Sequence, residues 1–189
     1  GFAAPLIARQ DPRLAGLVLL AGTPRSLLDL VVEQFEYIAK LDGEVSVEER
    51  RQIDDVRVLR DAIRAGQVPQ SSAFLPPAYA ARLEAIKPAE IARELKTPML
   101  IMHAGRDYQV TSACLEAWRK GLGDREGVTY KVYPALNHLF MVGEGPSKPE
   151  EYRTTGHVDG PVIEDIAAWI SQQKTGGQRP AEAGGGDGG

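Results

Sequence analysis

The sequence predicts an α/β fold in which helices flank a small sheet of three parallel strands. Two short, unbroken apolar runs, Leu14 to Gly22 ("LAGLVLLAG") and Met99 to His103, are typical of strands buried on both faces. A third run, Val128 to Tyr133, alternates apolar and polar residues, which indicates a less buried strand near a sheet edge. Helical patterns separate these runs, and such alternation produces parallel strands joined by right-handed crossovers.

The first helix is predicted at the start of the chain. In "GFAAPLIARQ" apolar residues recur at helical spacing from Phe2 to Ile7. Pro5 is an irregularity in this pattern, because proline lacks the amide hydrogen that a helix interior needs.

A helical insertion is predicted between the first two strands, from about Arg25 to Leu95. Apolar residues that recur every three and four positions indicate its first helix. The second begins at Ser46, whose hydroxyl can cap the first turn while Glu49 reaches back to form a capping box. A loop rich in proline leads to a short helix near Tyr79 to Ile86, and Pro88 opens another.

Two further helices are predicted after the second and third strands. Thr111 or Ser112 caps the first of them. Its buried face is expected to carry Leu115, Trp118 and Leu122. The last helix is expected to start at Pro161 and to bury Val162, Ile166, Trp169 and Ile170. Residues 1–174 are therefore expected to fold, whereas the glycine-rich tail 175–189 has too little apolar surface to order.

The composition excludes several classes of function. The chain has a net charge of -4, and its basic residues are scattered among acidic ones, which argues against a nucleic-acid partner. No apolar stretch approaches the roughly 20 residues that a membrane span requires. Cys114 is the sole cysteine, so an internal disulfide and a thiolate-rich zinc site are excluded. The compartment and the oligomeric state stay open.

Two titratable residues lie in loops that follow predicted strands. Asp107 follows the second strand in "GRDYQV", and His138 follows the third in "ALNHLF". Functional groups of parallel α/β sheets sit beyond the carboxyl ends of the strands, so the two side chains can meet there. A carboxylate beside an imidazole fixes its tautomer and stabilises the imidazolium during proton transfer. The pair is predicted to be two thirds of a catalytic triad.

The other candidate ligands are interpreted as structural. His103 lies inside an apolar strand and is expected to be a core residue. His157 precedes the last helix and carries no motif of its own. The three histidines are far apart and form no HExxH motif, which argues against zinc. Cys114 is expected to be a small core group.

Four segments together resemble the C-terminal half of an α/β-hydrolase: "LAGLVLLAG", "GRDYQV", "YPALNHLF" and "GHVDGPVIEDIAAWI". More narrowly, they are similar to bacterial serine esterases related to serine aminopeptidases and dienelactone hydrolases, carboxylesterases in particular. The resemblance runs from Gly1 to about Ile170 and implies that Asp107 and His138 are the acid and the histidine of a Ser-His-Asp triad. It further implies a small-molecule ester as substrate and no metal or organic cofactor.

The nucleophile of that family lies in a GxSxG elbow between a strand and a helix. None of the serines in the chain has the flanking glycines: Ser26, Ser46, Ser71, Ser72, Ser112, Ser147 and Ser171. Gly1 resembles a glycine at the end of a GxSxGG motif, so the nucleophile is expected about three residues before it. The chain by itself is then expected to be inactive, with an open apolar edge along its first strand.

Insertions at this place in the family often cover the site. The segment 25–95 is therefore expected to form a cap that lines an acyl or alcohol pocket with some of its aromatic side chains: Phe35, Tyr37, Phe74 and Tyr79. Three other interpretations remain open. The same pair could serve a peptidase or a dienelactone-type hydrolase, the protein could be a non-catalytic binder with this fold, or it could be a small nucleotide-binding domain.

Overall fold

A computed structural model of the chain describes residues 1–72 and 74–173. The described part contains a parallel three-stranded sheet, which confirms the predicted α/β class. Its strands are β1 (Leu17–Leu20), β2 (Met99–Ala104) and β3 (Val128–Tyr133). Its seven α-helices are α1 (Ala4–Gln10), α2 (Leu27–Ala39), α3 (Val47–Arg64), α4 (Pro77–Glu84), α5 (Pro88–Glu94), α6 (Ser112–Leu122) and α7 (Gly160–Gln172), and a 3-10 helix spans Pro149–Arg153. The predicted tail 175–189 lies outside the described residues.

The strands lie in the order β1-β2-β3, with β2 in the centre. All six residues of β2 are buried, whereas β3 is partly exposed, as its alternating sequence predicts. Met99 pairs with Val128 and Ala104 with Tyr133, so β2 and β3 begin and end at the same level. Their following loops therefore leave the sheet side by side.

Strand β1 is shorter than the apolar run Leu14 to Gly22 that predicts it. Ala21 has a φ of +45°, a left-handed conformation that ends the extended backbone before Gly22. At the other end, Gly16 lies against the ring of Trp169, where a Cβ atom would come within 2.5 Å of the indole. Leu20 is 41% exposed and Ala15 is exposed as well, so β1 is not buried on both faces as the apolar run predicts; the run indicates the strand but overstates its burial.

Helices cover both faces of the sheet because side chains alternate along β2. Met99 and Ile101 pack with residues of α1, α5 and α6, among them the buried Trp118. Leu100 and Met102 pack on the opposite face with residues of α7. The two faces form two separate apolar clusters with the sheet between them.

Helices α2, α3 and α4 pack around an apolar cluster of their own, which includes Leu28, Val56 and Ala80. The predicted capping box at the start of α3 is present: the Ser46 hydroxyl accepts from the Glu49 amide, and the Glu49 carboxylate accepts from the Ser46 amide. Helix α5 contacts α1 and α6 instead, so the unit built around α2 ends with α4. We call helices α2 to α4 with their loops the helical unit.

The structure explains the irregular Pro5 and corrects one expectation about the last helix. Helix α1 begins at Ala4, so Pro5 lies in its first turn, where no intrahelical partner for its missing amide hydrogen is needed. Helix α7 buries Val162 and Trp169 but leaves Ile170 55% exposed, because only one side of the helix faces the sheet. Within the described residues, no helix combines the length and the apolarity that crossing a membrane demands.

Candidate active site

The carboxylate of Asp107 lies in the loop after β2, and its side chain is fully buried. One oxygen, Oδ1, accepts hydrogen bonds from the backbone amides of Gln109 at 2.7 Å and Val110 at 2.9 Å. The other, Oδ2, lies 2.7 Å from Nδ1 of His138. The two amides fix the rotation of the carboxylate, and thereby aim Oδ2 at the imidazole.

The imidazole of His138 comes from the tight loop after β3. A carboxylate can only accept, so the hydrogen bond with Asp107 places a proton on Nδ1 and leaves the Nε2 lone pair free in the neutral ring. The side chain of His138 is 28% exposed, in contrast to the buried carboxylate behind it. The pair therefore presents an oriented proton acceptor toward solvent.

A cavity of about 360 Å³ opens beside His138. It lies between the helical unit and the loops that follow β1 and β2. Its apolar lining comes mainly from the helical unit: Leu27, Leu28, Leu30, Val31, Phe74, Leu75 and Leu83. Polar groups at its wall are Thr23, Gln34, Gln109 and His138. A concave, mainly apolar space with a few polar groups is typical of small-molecule sites.

One of the four aromatic residues expected at such a pocket lines this cavity, namely Phe74. The ring of Phe35 packs edge-on against Phe74 at 6.0 Å and does not line the cavity itself. Tyr37 stacks on Tyr108, and Tyr79 is 55% exposed on α4. The expectation is that some of the four line the pocket, and Phe74 does; helical spacing alone does not indicate which of them faces the cavity.

The start of the chain reaches the same cavity. Gly1 and Phe2 line it together with Gly22 and His138. Gly1 packs so closely on Gly22 that a Cβ atom on Gly1 would lie 2.4 Å from the Gly22 Cα atom.

The sequence of the chain is similar to that of a named enzyme. The chain is 38% identical over 168 residues to Esterase EstD of Thermotoga maritima. The matched residues make up 88% of this chain and 39% of that protein, so the chain spans about two fifths of the length of the curated relative. No protein-family model matches the chain.

The remaining candidate residues lie away from the cavity. His103 is 5% exposed on β2, and burial lowers its pKa although the nearby Asp107 opposes that shift. His157 is exposed in the loop before α7. Cys114 is buried on α6, where its sulfur accepts a weak hydrogen bond from the Thr23 hydroxyl at 3.4 Å, and burial raises the pKa of the thiol. Over residues 1–72 and 74–173, no group of three potential metal-ligating side chains comes together.

A second set of polar residues surrounds the loops that carry Asp107 and His138. Arg106 and Asn137 each precede one of these residues, and both bind the carboxylate of Glu151 in the 3-10 helix. Sequence reasoning does not identify this set. Arg106 and Asn137 are visible as neighbours of the predicted pair, but nothing in the spacing of Glu151 connects it with them.

Proposed function

We propose that the protein to which this chain belongs is a serine hydrolase of carboxylic esters, and that the chain forms the C-terminal part of an α/β-hydrolase fold. The observation that carries the proposal is the hydrogen bond between His138 and the buried Asp107 at the mouth of an apolar cavity. Similarity to a named esterase across 88% of the chain supports the same activity. The substrate in this proposal is a small-molecule ester.

In the proposed reaction, His138 is the general base and Asp107 orients it. A serine hydroxyl loses its proton to Nε2 of His138 while its oxygen attacks the ester carbonyl. The tetrahedral intermediate collapses, the ester C–O bond breaks, and Nε2 returns the proton to the departing alcohol. Water then repeats the cycle on the acyl-enzyme: it gives a proton to Nε2, its oxygen attacks the carbonyl, and the serine leaves with the proton.

The position of the serine is part of the proposal. None of the described residues that line the cavity is a serine, and Ser147 is buried against Glu151 elsewhere. We place the nucleophile outside residues 1–189, about three residues before Gly1, because Gly1 and Phe2 line the cavity beside His138. The helical unit acts as the cap in this proposal, with its apolar wall facing the acyl or alcohol group of the substrate.

The test uses the full-length protein and a fluorophosphonate probe, which labels activated serines. We expect one labelled serine in a GxSxG motif upstream of Gly1, and loss of labelling and of ester hydrolysis in His138→Ala. The exposed His157→Ala is the matched control and is expected to keep both. Circular dichroism shows whether each variant is folded.

Assays of the same full-length protein with other substrates and ligands separate the competing interpretations. Turnover of amide or lactone substrates in preference to esters would favour a peptidase or a dienelactone-type hydrolase. A folded protein without labelling, which still binds apolar ligands in the cavity, would overturn the enzymatic proposal in favour of a binding protein.

A further inference from the structure

The loop that carries His138 is folded around the side chain of the residue before it. Asn137 is 1% exposed, and its Oδ1 accepts from the amides of Leu139 at 3.0 Å and Met141 at 3.2 Å. The backbone amide of Asn137 donates to the Met141 carbonyl at 3.0 Å, and this hydrogen bond closes the loop. Phe140 inside this loop has a φ of +57°, a conformation that a non-glycine residue keeps only when its surroundings hold it.

The side-chain nitrogen of Asn137 points out of that loop to Glu151. Asn137 Nδ2 donates to Glu151 Oε2 at 3.0 Å. The same carboxylate accepts two hydrogen bonds from the Arg106 guanidinium: Nη2 donates to Oε1 at 2.7 Å, and Nη1 donates to Oε2 at 3.2 Å. Burial alone would raise the pKa of Glu151, but the hydrogen bonds from Arg106 and Asn137 outweigh it and hold the pKa below its ordinary value.

Arg106 ties this carboxylate to the loop that carries Asp107. Its side chain is 9% exposed and also donates to the carbonyls of Gly145 at 2.7 Å and Glu144 at 2.9 Å. Its backbone amide donates to the Leu136 carbonyl at 2.9 Å. The guanidinium packs against Gly143, where a Cβ atom would come within 2.0 Å of it.

Two bridges therefore connect the same two loops, one residue apart in each. The first is the direct hydrogen bond between Asp107 and His138, and the second runs from Arg106 through Glu151 to Asn137. Flexible loops lose reactivity when the reacting groups are displaced by even about 1 Å, which can cost about a hundredfold in rate. A second bridge beside the first adds restraints on the same two loops.

We propose that Glu151 is a positioning residue that holds the imidazole of His138 in line with Asp107 by clamping Arg106 and Asn137. The inference rests on the proposed role of His138 in hydrolysis. Glu151 itself does not touch the cavity, so its effect passes through Asn137 and Arg106.

The test exchanges donor and acceptor across the Asn137 to Glu151 contact in the full-length protein. In Glu151→Gln, the new side-chain nitrogen is a donor that faces another donor, either the Asn137 side-chain nitrogen or Arg106. In Asn137→Asp, a second carboxylate faces the carboxylate of Glu151, so two acceptors meet. In the double variant Glu151→Gln with Asn137→Asp, the side-chain nitrogen at 151 donates to the carboxylate at 137. The remaining oxygen at 151 still accepts from Nη2 of Arg106, whereas the longer contact of Nη1 is lost. The Asp also keeps the oxygen that Leu139 and Met141 need.

We expect each single variant to lower kcat by about tenfold to a hundredfold with KM nearly unchanged, as for other residues that orient a catalytic group. The double variant should recover about tenfold over either single one. Proton NMR provides a readout independent of turnover: the downfield resonance of the His138 Nδ1 proton should broaden or shift in the single variants and return in the double. Glu150→Gln, which alters an exposed neighbour, is the matched control.

Unchanged kcat and an unchanged Nδ1 resonance in folded Glu151→Gln would overturn the inference while leaving the proposed hydrolase intact. Failure of the hydrolase proposal is distinguishable, because the folded parent protein would then show neither fluorophosphonate labelling nor ester hydrolysis, or His138→Ala would keep both. A folded double variant that recovers neither kcat nor the Nδ1 resonance would show that the contact between residues 137 and 151 does not position His138, and would also overturn the inference.

Discussion

The ring of Tyr37 stacks on the ring of Tyr108, with their centroids 4.8 Å apart and their planes within 3° of parallel. Tyr37 belongs to α2, and Tyr108 directly follows Asp107. The Tyr37 hydroxyl also donates to the carbonyl of Ser147 at 2.9 Å, and one turn earlier Gln34 donates to the carbonyl of Gln109 at 3.1 Å. The helix that forms one wall of the cavity is thus attached at two levels to the loops around the candidate site.

Changes at Tyr37 separate the two parts of this attachment. Tyr37→Phe keeps the stacked ring and removes the bond to Ser147, so we expect a loss of about 0.5–1.5 kcal/mol in the free energy of unfolding. Tyr37→Ala also removes the ring pair and should cost about 0.5–1.5 kcal/mol more. Urea denaturation measures both values. Tyr79→Ala, an exposed tyrosine on α4, should stay close to the parent.

Replacement of Asp107 by Asn tests the orientation of the imidazole. The amide oxygen of Asn would take the place of Oδ1, because the amides of Gln109 and Val110 require an acceptor there. Its NH2 group would then face His138 Nδ1 and force the proton onto Nε2, which can no longer act as a base. We expect kcat of the full-length protein to fall by about ten thousandfold, as for the same change in a serine-protease triad.

Thermal melting is the control for that variant. A folded protein with wild-type turnover would show that Asp107 only stabilises its loop.

Narrowing the cavity should change which esters the protein prefers. Leu83 lines the cavity from α4, so Leu83→Trp fills part of the 360 Å³ space. We expect kcat/KM for long acyl or alcohol groups to fall by about tenfold or more relative to short ones, because a pocket discriminates by about tenfold or more per excess methylene. Initial rates on a series of p-nitrophenyl esters measure the ratio.

The control for this variant is Tyr79→Trp, which adds bulk to the same helix at an exposed position. A preference that stays constant in Leu83→Trp but shifts in the control would place the substrate outside this cavity.

The ion pair of Glu151 with Arg106 predicts a pH dependence of stability. The pKa of Glu151 is lower in the folded chain than its ordinary value, so its contribution is present above about pH 4.3, the unfolded value, and is lost as pH falls through the folded pKa. The difference in unfolding free energy between the parent and Glu151→Gln should therefore be largest near neutral pH and shrink as pH falls through the folded pKa of Glu151. A difference independent of pH would contradict this ionisation effect.

Much of the framework could be predicted because it depends on local patterns. The apolar run at Met99 and the alternation at Val128 correspond to β2 and β3, and the spacing of Ser46 and Glu49 gives the observed capping box. The placement of Asp107 and His138 after neighbouring strands followed from the same reasoning, since parallel strands carry their loops to one edge.

The rest depends on contacts between residues distant in the sequence. Tyr37 is an aromatic residue at helical spacing whether it lines the cavity or stacks on Tyr108, and only the packing of α2 on the loops decides between the two. Glu151 lies 45 residues from Arg106 and 14 from Asn137, in a short 3-10 helix without an apolar pattern. Neither spacing carries a local signal.

The pairing of Ala104 with Tyr133 at the ends of β2 and β3 determines how far apart the Asp107 and His138 loops begin. A slip of one residue along a strand moves everything beyond it by about 3.3 Å, which exceeds the tolerance of the 2.7 Å hydrogen bond between Asp107 and His138. Insertions inside β3 should therefore be far more damaging than insertions of equal length in the turn between α6 and β3. Length changes during the divergence of such proteins are expected to collect in that turn.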